Sequence, residues 1–492
     1  MTRLLSLTPP RALPRLTRAH LAWAALAAAL GVAAALLPTG QFFIALVLAA
    51  LVVAALIAPV AGAAALLILA PLRTLIATEA ALALPLDIGQ LALLITLAAW
   101  LVRDLAARRR LPRVVWSPFL IPVLLFIGVV SLTAFSAQSM RLWFNEWLKW
   151  VQVLLLLLFV RSNAGRGGWR WLLAALVVSA AANAVVGIYQ FFGGSGALHL
   201  LIADRFFRAF GTFGQPNPFG GFMGLLAPLA AAAALGSLHS FRLTRARRDL
   251  WLSGFYAVAA GLLLAGLLVS WSRGAWLGFG AAAAVVALLI PRQPWRGGLL
   301  LLAAGGLLLG LWTGGLLPAT ITARVASATS ELFSFSDVRG VDITTDNYAV
   351  VERLSHWQAA LNMARSHPWL GVGMGGYEHA YPAYRLINWR EPLGHAHNYY
   401  LNMLAEGGIV GLIGYSKLWL LIVILTWRAA RHPDAPTRLI AVGLLGSWTY
   451  LLVHSLFDNL YVNNLFLHIG VMLGIASILY DDARRYVTLR AL

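Results

Sequence analysis

Long apolar blocks alternate with short polar segments along the chain. They fall at 20–37, 41–57, 59–72, 85–102, 117–134, 143–160, 168–190, 217–236, 250–269, 274–290, 297–316, 408–427, 437–456 and 463–480. Most run for about 17 to 22 residues, close to the ~20 that a helix needs to cross a ~30 Å hydrocarbon core. The ~10-residue alternation of a membrane β-barrel does not appear. The pattern therefore predicts an all-α, polytopic transmembrane helical bundle. The third block is short and reads as a partial crossing or as merged with the second, so 12–14 spans are expected. The same pattern divides the chain into an N-terminal transmembrane region (1–316), one large loop (317–396) and a C-terminal transmembrane region (397–492), acting as a single membrane domain.

The long loop has structure of its own. Its first part, ATITARVASATSELFSFSDVRGVDITTDN, is rich in Ser, Thr and Asp and reads as irregular. A helix is then predicted, capped by Thr345 or Asp346. Val351, Leu354, Leu361 and Ala364 recur at near-helical spacing, and His367-Pro368 and Gly371 stop it. This helix is expected to pack on the outer membrane surface.

Composition agrees with lipid as the solvent. The 492 residues are 60% hydrophobic and 11% charged, against roughly 25% charged for a soluble protein. Cysteine is absent, so the loop must be held by packing rather than by disulfides or thiolate-bound metal. The net charge of +19 does not point to nucleic acid, because the arginines form short clusters between apolar blocks rather than a basic stripe. They read as topology signals. With the N-terminus inside, 24 of the 37 Lys and Arg fall in inner segments and 11 in outer ones. Basic loops are retained in the cytoplasm, so both termini are expected inside and the long loop outside. The basic N-terminal start lacks a clear cleavage site and reads as a retained first helix.

Candidate chemistry gathers around the loop. In the segment GHAHNYYLNMLAEGGIVG (394–411), nine residues separate His397-Asn398 from Gly408, and Gly411 lies three further on. Histidine titrates nearest neutrality of all side chains, so His397 is suited to take a proton from a hydroxyl, unless it only caps or packs a helix. Asn398, Asn402 and Glu406 share one stripe of the following helix. That stripe either binds sugar hydroxyls or fastens the loop to the bundle. Arg208 and Arg273 precede or open helices for which Asn217, and Ser270 or Ser272, are candidate caps. A guanidinium beside a helix N-terminus makes an anion site, although an interfacial Arg can also bind lipid headgroups. His454 and Asp458 stand at i and i+4, where Asp458 either orients a histidine or serves a helix-end hydrogen bond.

These residues resemble the motif of the bacterial O-antigen ligase and O-antigen polymerase superfamily, closest to O-antigen ligase. RAFGTFGQPNPFG (208–220), SWSRGAWLGF (270–279) and HPWLGVGMGGYEHAY (367–381) agree with the likeness, which covers roughly residues 200–465. The resemblance implies a C-type glycosyltransferase-like bundle in the bacterial cytoplasmic membrane. It implies metal-independent, inverting transfer of a glycan from undecaprenyl diphosphate to a glycan or lipid acceptor hydroxyl at the outer face, with no cofactor. His397 would be the general base and Arg208 and Arg273 would hold the diphosphate. Arg205, Arg353, Asn398, Asn402 and Asp458 are further candidates for binding substrate or supporting the site. Polymerization on the lipid carrier and protein O-glycosylation are alternatives within this chemistry, and anion transport is a rival outside it.

Other patterns are discounted. Gly371, Gly373 and Gly376 spell G-x-G-x-x-G but follow a helix rather than a strand, so a tight turn is expected. His395 and His397 lack a third metal ligand at convincing spacing. Glu146 and Lys149 should satisfy each other, and Lys417, inside a span, must pair or snorkel.

Overall fold

A computed structural model describes residues 32, 35–79, 86–109, 111–165, 167–194, 197–202, 205–317, 319, 322, 337–344 and 347–491. Its membrane-type helices are α1 (Thr39–Ile57), α2 (Pro59–Leu69), α3 (Arg73–Glu79), α4 (Ile88–Arg108), α5 (Leu120–Leu132), α6 (Met140–Asn163), α7 (Trp169–Tyr189), α8 (Pro216–Thr244), α9 (Arg247–Val269), α10 (Arg273–Leu289) and α11 (Pro294–Thr313). The loop contributes α12 (Tyr348–Ser366) and α13 (Tyr377–Tyr384), and the chain closes with α14 (Tyr399–Ala429), α15 (Ala435–His454) and α16 (Leu465–Ala491). Among the described residues, eleven helices are long and apolar enough to cross a membrane, and Leu120–Ser136 and Arg273–Leu289 are shorter apolar helices. The 20–37 block lies almost wholly outside the described residues, as do the caps proposed at Thr345 and Asp346 and most of the irregular segment before them.

One predicted boundary is corrected. The block at 59–72 is neither short nor merged with its predecessor. Pro59 starts a new helix after extended Ala58, and a 3-10 turn at Ala70–Leu72 carries α2 directly into α3. The run Pro59–Glu79 is thus long enough to cross, and Arg73 belongs to it rather than to a loop.

The bundle is built around α8, α15 and α16. In α16, 89% of the spanning window is buried, against 11% for α1 and 6% for α11, which lie at the periphery. Without water to drive helices together, close approach depends on small residues. At Gly224 of α8 a Cβ would lie 2.0 Å from the Tyr450 ring of α15, and at Gly474 of α16 one would lie 2.5 Å from Val160 of α6. Some polar groups inside the bundle are paired: Arg161 meets Asp481 at 2.7 Å, and Tyr450 donates to the Gly220 carbonyl at 3.1 Å. Lys149 and Glu146 pair at 2.6 Å as expected, and Lys417 lies on the exposed face of α14, as snorkelling requires.

Among the described residues, the loop has two small cores. One gathers Ala359, Met363, Val372, Tyr377, Tyr381 and Ala396, and the other gathers Val338, Val351, Leu354 and Trp389. They join α12 and α13 to the start of α14, so the loop helix packs on the protein itself.

Candidate active site

The segment 393–398 turns sharply before α14. Leu393, Gly394 and His397 all have positive φ, and His397 at +52° is held in a conformation that non-glycine residues seldom adopt. Three contacts fix it there. Asn398 caps α14, its Oδ1 accepting from the Tyr400 and Leu401 amides at 3.0 and 3.1 Å. Asn402 Oδ1 accepts from the Ala396 amide at 3.2 Å, and the Tyr399 amide donates to the Ser455 carbonyl at 2.7 Å. The last of these fastens the start of α14 to the end of α15.

The glycines of the motif explain themselves in this setting. Gly408 breaks α14 with φ +61° and ψ −160°. The interruption lets the Ile409 amide bond the Pro368 carbonyl at 2.8 Å and the Val410 amide bond Trp369 at 3.2 Å. A Cβ at Gly408 would lie 2.4 Å from the Trp369 carbonyl. The glycine-rich run after α12 forms tight turns, as expected, with positive φ at Gly371, Gly373 and Gly375. Gly371 presses on the backbone of Ala405 and Glu406, and Gly373 on Ala137 just before α6. Glu406 completes the join by accepting from the Tyr377 amide at 3.0 Å. Along the stripe, Asn398 caps the helix while Asn402 and Glu406 fasten the loop to it.

Asp458 lies in the turn after α15, and its Oδ1 faces two imidazoles: His395 Nε2 at 3.4 Å and His397 Nδ1 at 3.8 Å. His395 Nδ1 accepts from the His397 amide at 3.0 Å, so the neutral ring carries its proton on Nε2, toward Asp458. Burial pushes the His395 pKa down to about 4, against the opposing charge of Asp458. At Asp458 itself burial works against ionization, but His397, then His395 and His454, more than offset it and hold the carboxyl well below its usual range. His397 Nδ1 is buried and has no partner nearer than this carboxylate. The ring thus presents one nitrogen to a buried anion and has its other, Nε2, on the opposite edge.

A third histidine stands behind the pair. His356 of α12 is edge-on to His397, with centroids 5.8 Å apart, stacked on Tyr381 and 3.1 Å from the Tyr377 hydroxyl through Nδ1. Burial, then the His397 and His395 charges, lower its pKa to about 3, so it is neutral. No motif in the sequence marks it, although it lies three residues after Arg353 on the same helix face.

The predicted arginines reach this end of the bundle by separate routes. Arg208 donates through Nε to the Ser270 carbonyl at 3.3 Å and through Nη2 to Asn217 Oδ1 at 3.4 Å, beside the gap between α9 and α10. Arg273 opens α10, and the next residue, Gly274, abuts Phe457 so closely that a Cβ would lie 2.6 Å from that side chain's Cβ. The N-terminus of α10 therefore touches the turn that carries Asp458. Arg353 lies near enough to His454 for their charges to interact. Arg205 is placed differently, over the Phe206 ring at 5.1 Å in the short hairpin of β1 (Leu201–Ile202) and β2 (Phe206–Phe207).

One predicted cap is corrected, and of the two serines expected for α10 the cap position falls to Ser272. Gln215, not Asn217, occupies the cap of α8, because Pro216 starts the helix with its fixed φ; Asn217 instead accepts from Arg208. Ser272 holds the cap position of α10 without a side-chain bond, while Ser270 Oγ accepts the Ser272 amide at 3.2 Å. His454 does not pair with the Asp458 side chain; the link is the Asp458 amide to the His454 carbonyl at 3.1 Å.

Beside His395 opens a cavity of about 550 Å³, whose wall includes Glu146, Lys149, Gln215, Asn402, Glu406 and Asn459. Its amides and charges suit a hydroxyl-rich ligand. The absence of a third metal ligand, argued from spacing, is also corrected: His395, His397 and Asp458 offer ligand atoms within 4.8 Å of one another. Two imidazoles and a carboxylate are a composition that first-row divalent ions accept. Spacing missed it because Asp458 arrives from another helix hairpin.

The fold and these residues define a polytopic α-helical membrane protein with a histidine-carboxylate site at one end of the bundle. Residues 258–416 match the protein family described as O-Antigen ligase, which supports membership of the O-antigen ligase superfamily and a ligase- or polymerase-like role in membrane glycan transfer. The matched segment contains Arg273, Arg353, His397, Asn398 and Asn402, whereas Arg208 and Asp458 lie outside it. No curated protein matches the chain.

Proposed function

We propose that the protein transfers a glycan from undecaprenyl diphosphate to an acceptor hydroxyl at the outer face of the bacterial cytoplasmic membrane. The observation that carries this reading is the pairing of His397 with buried Asp458 at the bundle end where the α10 N-terminus presents Arg273. His397 Nε2 takes the proton of the acceptor hydroxyl as its oxygen attacks the anomeric carbon. The bond from that carbon to the diphosphate breaks, and both electrons leave with the diphosphate. Attack opposite the leaving group inverts the anomeric configuration.

Asp458 stabilizes the imidazolium as it forms, in the manner of a base held by a carboxylate. Arg208 and Arg273 stabilize the departing diphosphate, with the N-H groups opening α10 adding to the anion site. The cavity beside His395 accommodates sugar, with Asn402 and Glu406 on its wall. The loop side of the site contributes Arg353 and His356. The distribution of Lys and Arg, which makes the other end of the bundle the basic one, supports an outer-face orientation.

The test is reconstitution of purified protein with a lipid-linked glycan and candidate acceptors. A single transfer to a separate acceptor is expected. A ladder of products on the diphosphate lipid would make the protein a polymerase, and glycan on Ser or Thr a protein glycosyltransferase. Solute uptake without any glycan transfer would overturn the proposal.

A further inference from the structure

Three helix N-termini converge at the end of the bundle opposite His397. α7 begins at Trp169, α9 at Arg247 and α15 at Ala435. Their first turns line a cavity of about 680 Å³ through Arg170, Arg248 and Thr437, among others. The far ends of α9 and α15 reach Ser270 and His454. About 20 helical residues at ~1.5 Å each put some 30 Å between this cavity and the site described above.

Helix N-termini carry unsatisfied N-H groups and a positive dipole end, so an anion is stabilized where several of them point together. Arg170 and Arg248 add full positive charges. Among the described residues of the wall the acidic group is Asp249, which accepts from the Thr244 hydroxyl at 3.1 Å. Tyr256, only 6% exposed, lines the same cavity as Arg170. Its hydroxyl finds no hydrogen-bond partner among the described residues. A hydroxyl on a largely buried ring, unpartnered and lining a cationic cavity, is a donor waiting for an acceptor.

We propose that this cavity binds the phosphate of an anionic phospholipid headgroup. Phosphate is the shared chemistry of several ligands, and the surroundings favor a lipid. Leu173, Leu252 and Ile440 give the cavity an apolar wall for the glycerol and upper acyl chain. Trp171 and Trp251, 70% and 78% exposed, stand on the first turns of α7 and α9, where indoles mark the headgroup level. A headgroup bound here holds the ends of α7, α9 and α15 together from the face opposite the glycan chemistry. Basic pockets between membrane helices take anionic headgroups in this way.

The test is native mass spectrometry of the full-length protein exchanged into micelles containing phosphatidylglycerol or phosphatidylcholine. Wild type should retain phosphatidylglycerol in preference. R170A/R248A should lose that retention by roughly tenfold or more, corresponding to a tenfold change in binding constant, and Y256F by a smaller factor. R242A/R247A removes equal charge from exposed positions outside the cavity and should retain the lipid. Equal retention of both lipids by wild type, or equal loss in R242A/R247A, would overturn the proposal. Displacement of the lipid by inorganic phosphate at matched concentration would transfer the site to a soluble phosphate and overturn the lipid assignment. Phosphatidylglycerol should also raise the unfolding temperature of wild type and not of R170A/R248A, a readout of folded protein in both cases.

Discussion

Replacing Asp458 by Asn tests the electrostatic core of the mechanism. The change keeps the shape of the side chain and an oxygen able to accept the Asn459 amide, now 2.8 Å from Oδ1, while removing the buried charge. His397 Nδ1 lies 3.8 Å from Oδ1. With an effective dielectric constant of about 20, the interaction of that carboxylate with a full imidazolium is about 4 kcal/mol. His397 acquires its positive charge only as it takes the acceptor proton, so the interaction belongs to the transition state and its loss appears in the rate, by roughly a thousandfold. The assay is single-turnover transfer from labelled lipid-linked glycan, with thermal unfolding as the check on folding. D458N should lose activity at near-constant acceptor KM, and combining it with H397A should cost little beyond H397A alone, since the two act as a unit. A folded D458N within a few-fold of wild type, or fully additive losses, would refute the argument.

Other consequences are equally specific. His356 and His395 have folded-state pKa values of about 3 and about 4 against an ordinary 6.5. Below pH 6.5 the unfolded chain therefore binds protons that the native one excludes, and stability falls as pH drops toward 4. Each histidine contributes up to ~1.4 kcal/mol per pH unit, and hydrogen exchange of α12 and α13 between pH 7.5 and 4.5 should show protection declining; a flat profile would contradict the burial argument. Gly408→Ala should destabilize the junction of loop and bundle by about 1–3 kcal/mol or more, since it adds a clash with Trp369 to a φ of +61°; an unchanged unfolding temperature would count against the docking described. Turnover should survive exhaustive chelation, whereas loss restored by a single divalent ion would assign His395, His397 and Asp458 to a metal.

Much of this architecture is written into local sequence. The spans are legible because each must bury its own backbone hydrogen bonds in an apolar helix, so hydropathy alone marks it. His397 and Asn398 are legible because the motif is compact, and Glu146 and Lys149 because they share one helical turn. What the sequence hides is contact between distant segments. Asp458 reaches His395 and His397 only after α14 and α15 have crossed and returned, so no spacing rule pairs them. His356 reads as an unremarkable loop-helix residue until α12 docks beside His397. The break at Gly408 hides for a similar reason: glycine is also common inside membrane helices, and the carbonyls of Pro368 and Trp369 that compensate the interrupted ladder come from a distant segment. Asn217 shows the reverse error, in which a good capping residue is displaced from that role by Pro216 and taken up by Arg208.

The most direct test of the central claim is single-turnover glycan transfer by purified, folded H397A with donor and acceptor both saturating. The account predicts loss of nearly all turnover with the lipid-linked donor still bound, because Arg208 and Arg273 remain in place. Undiminished turnover in H397A would contradict it.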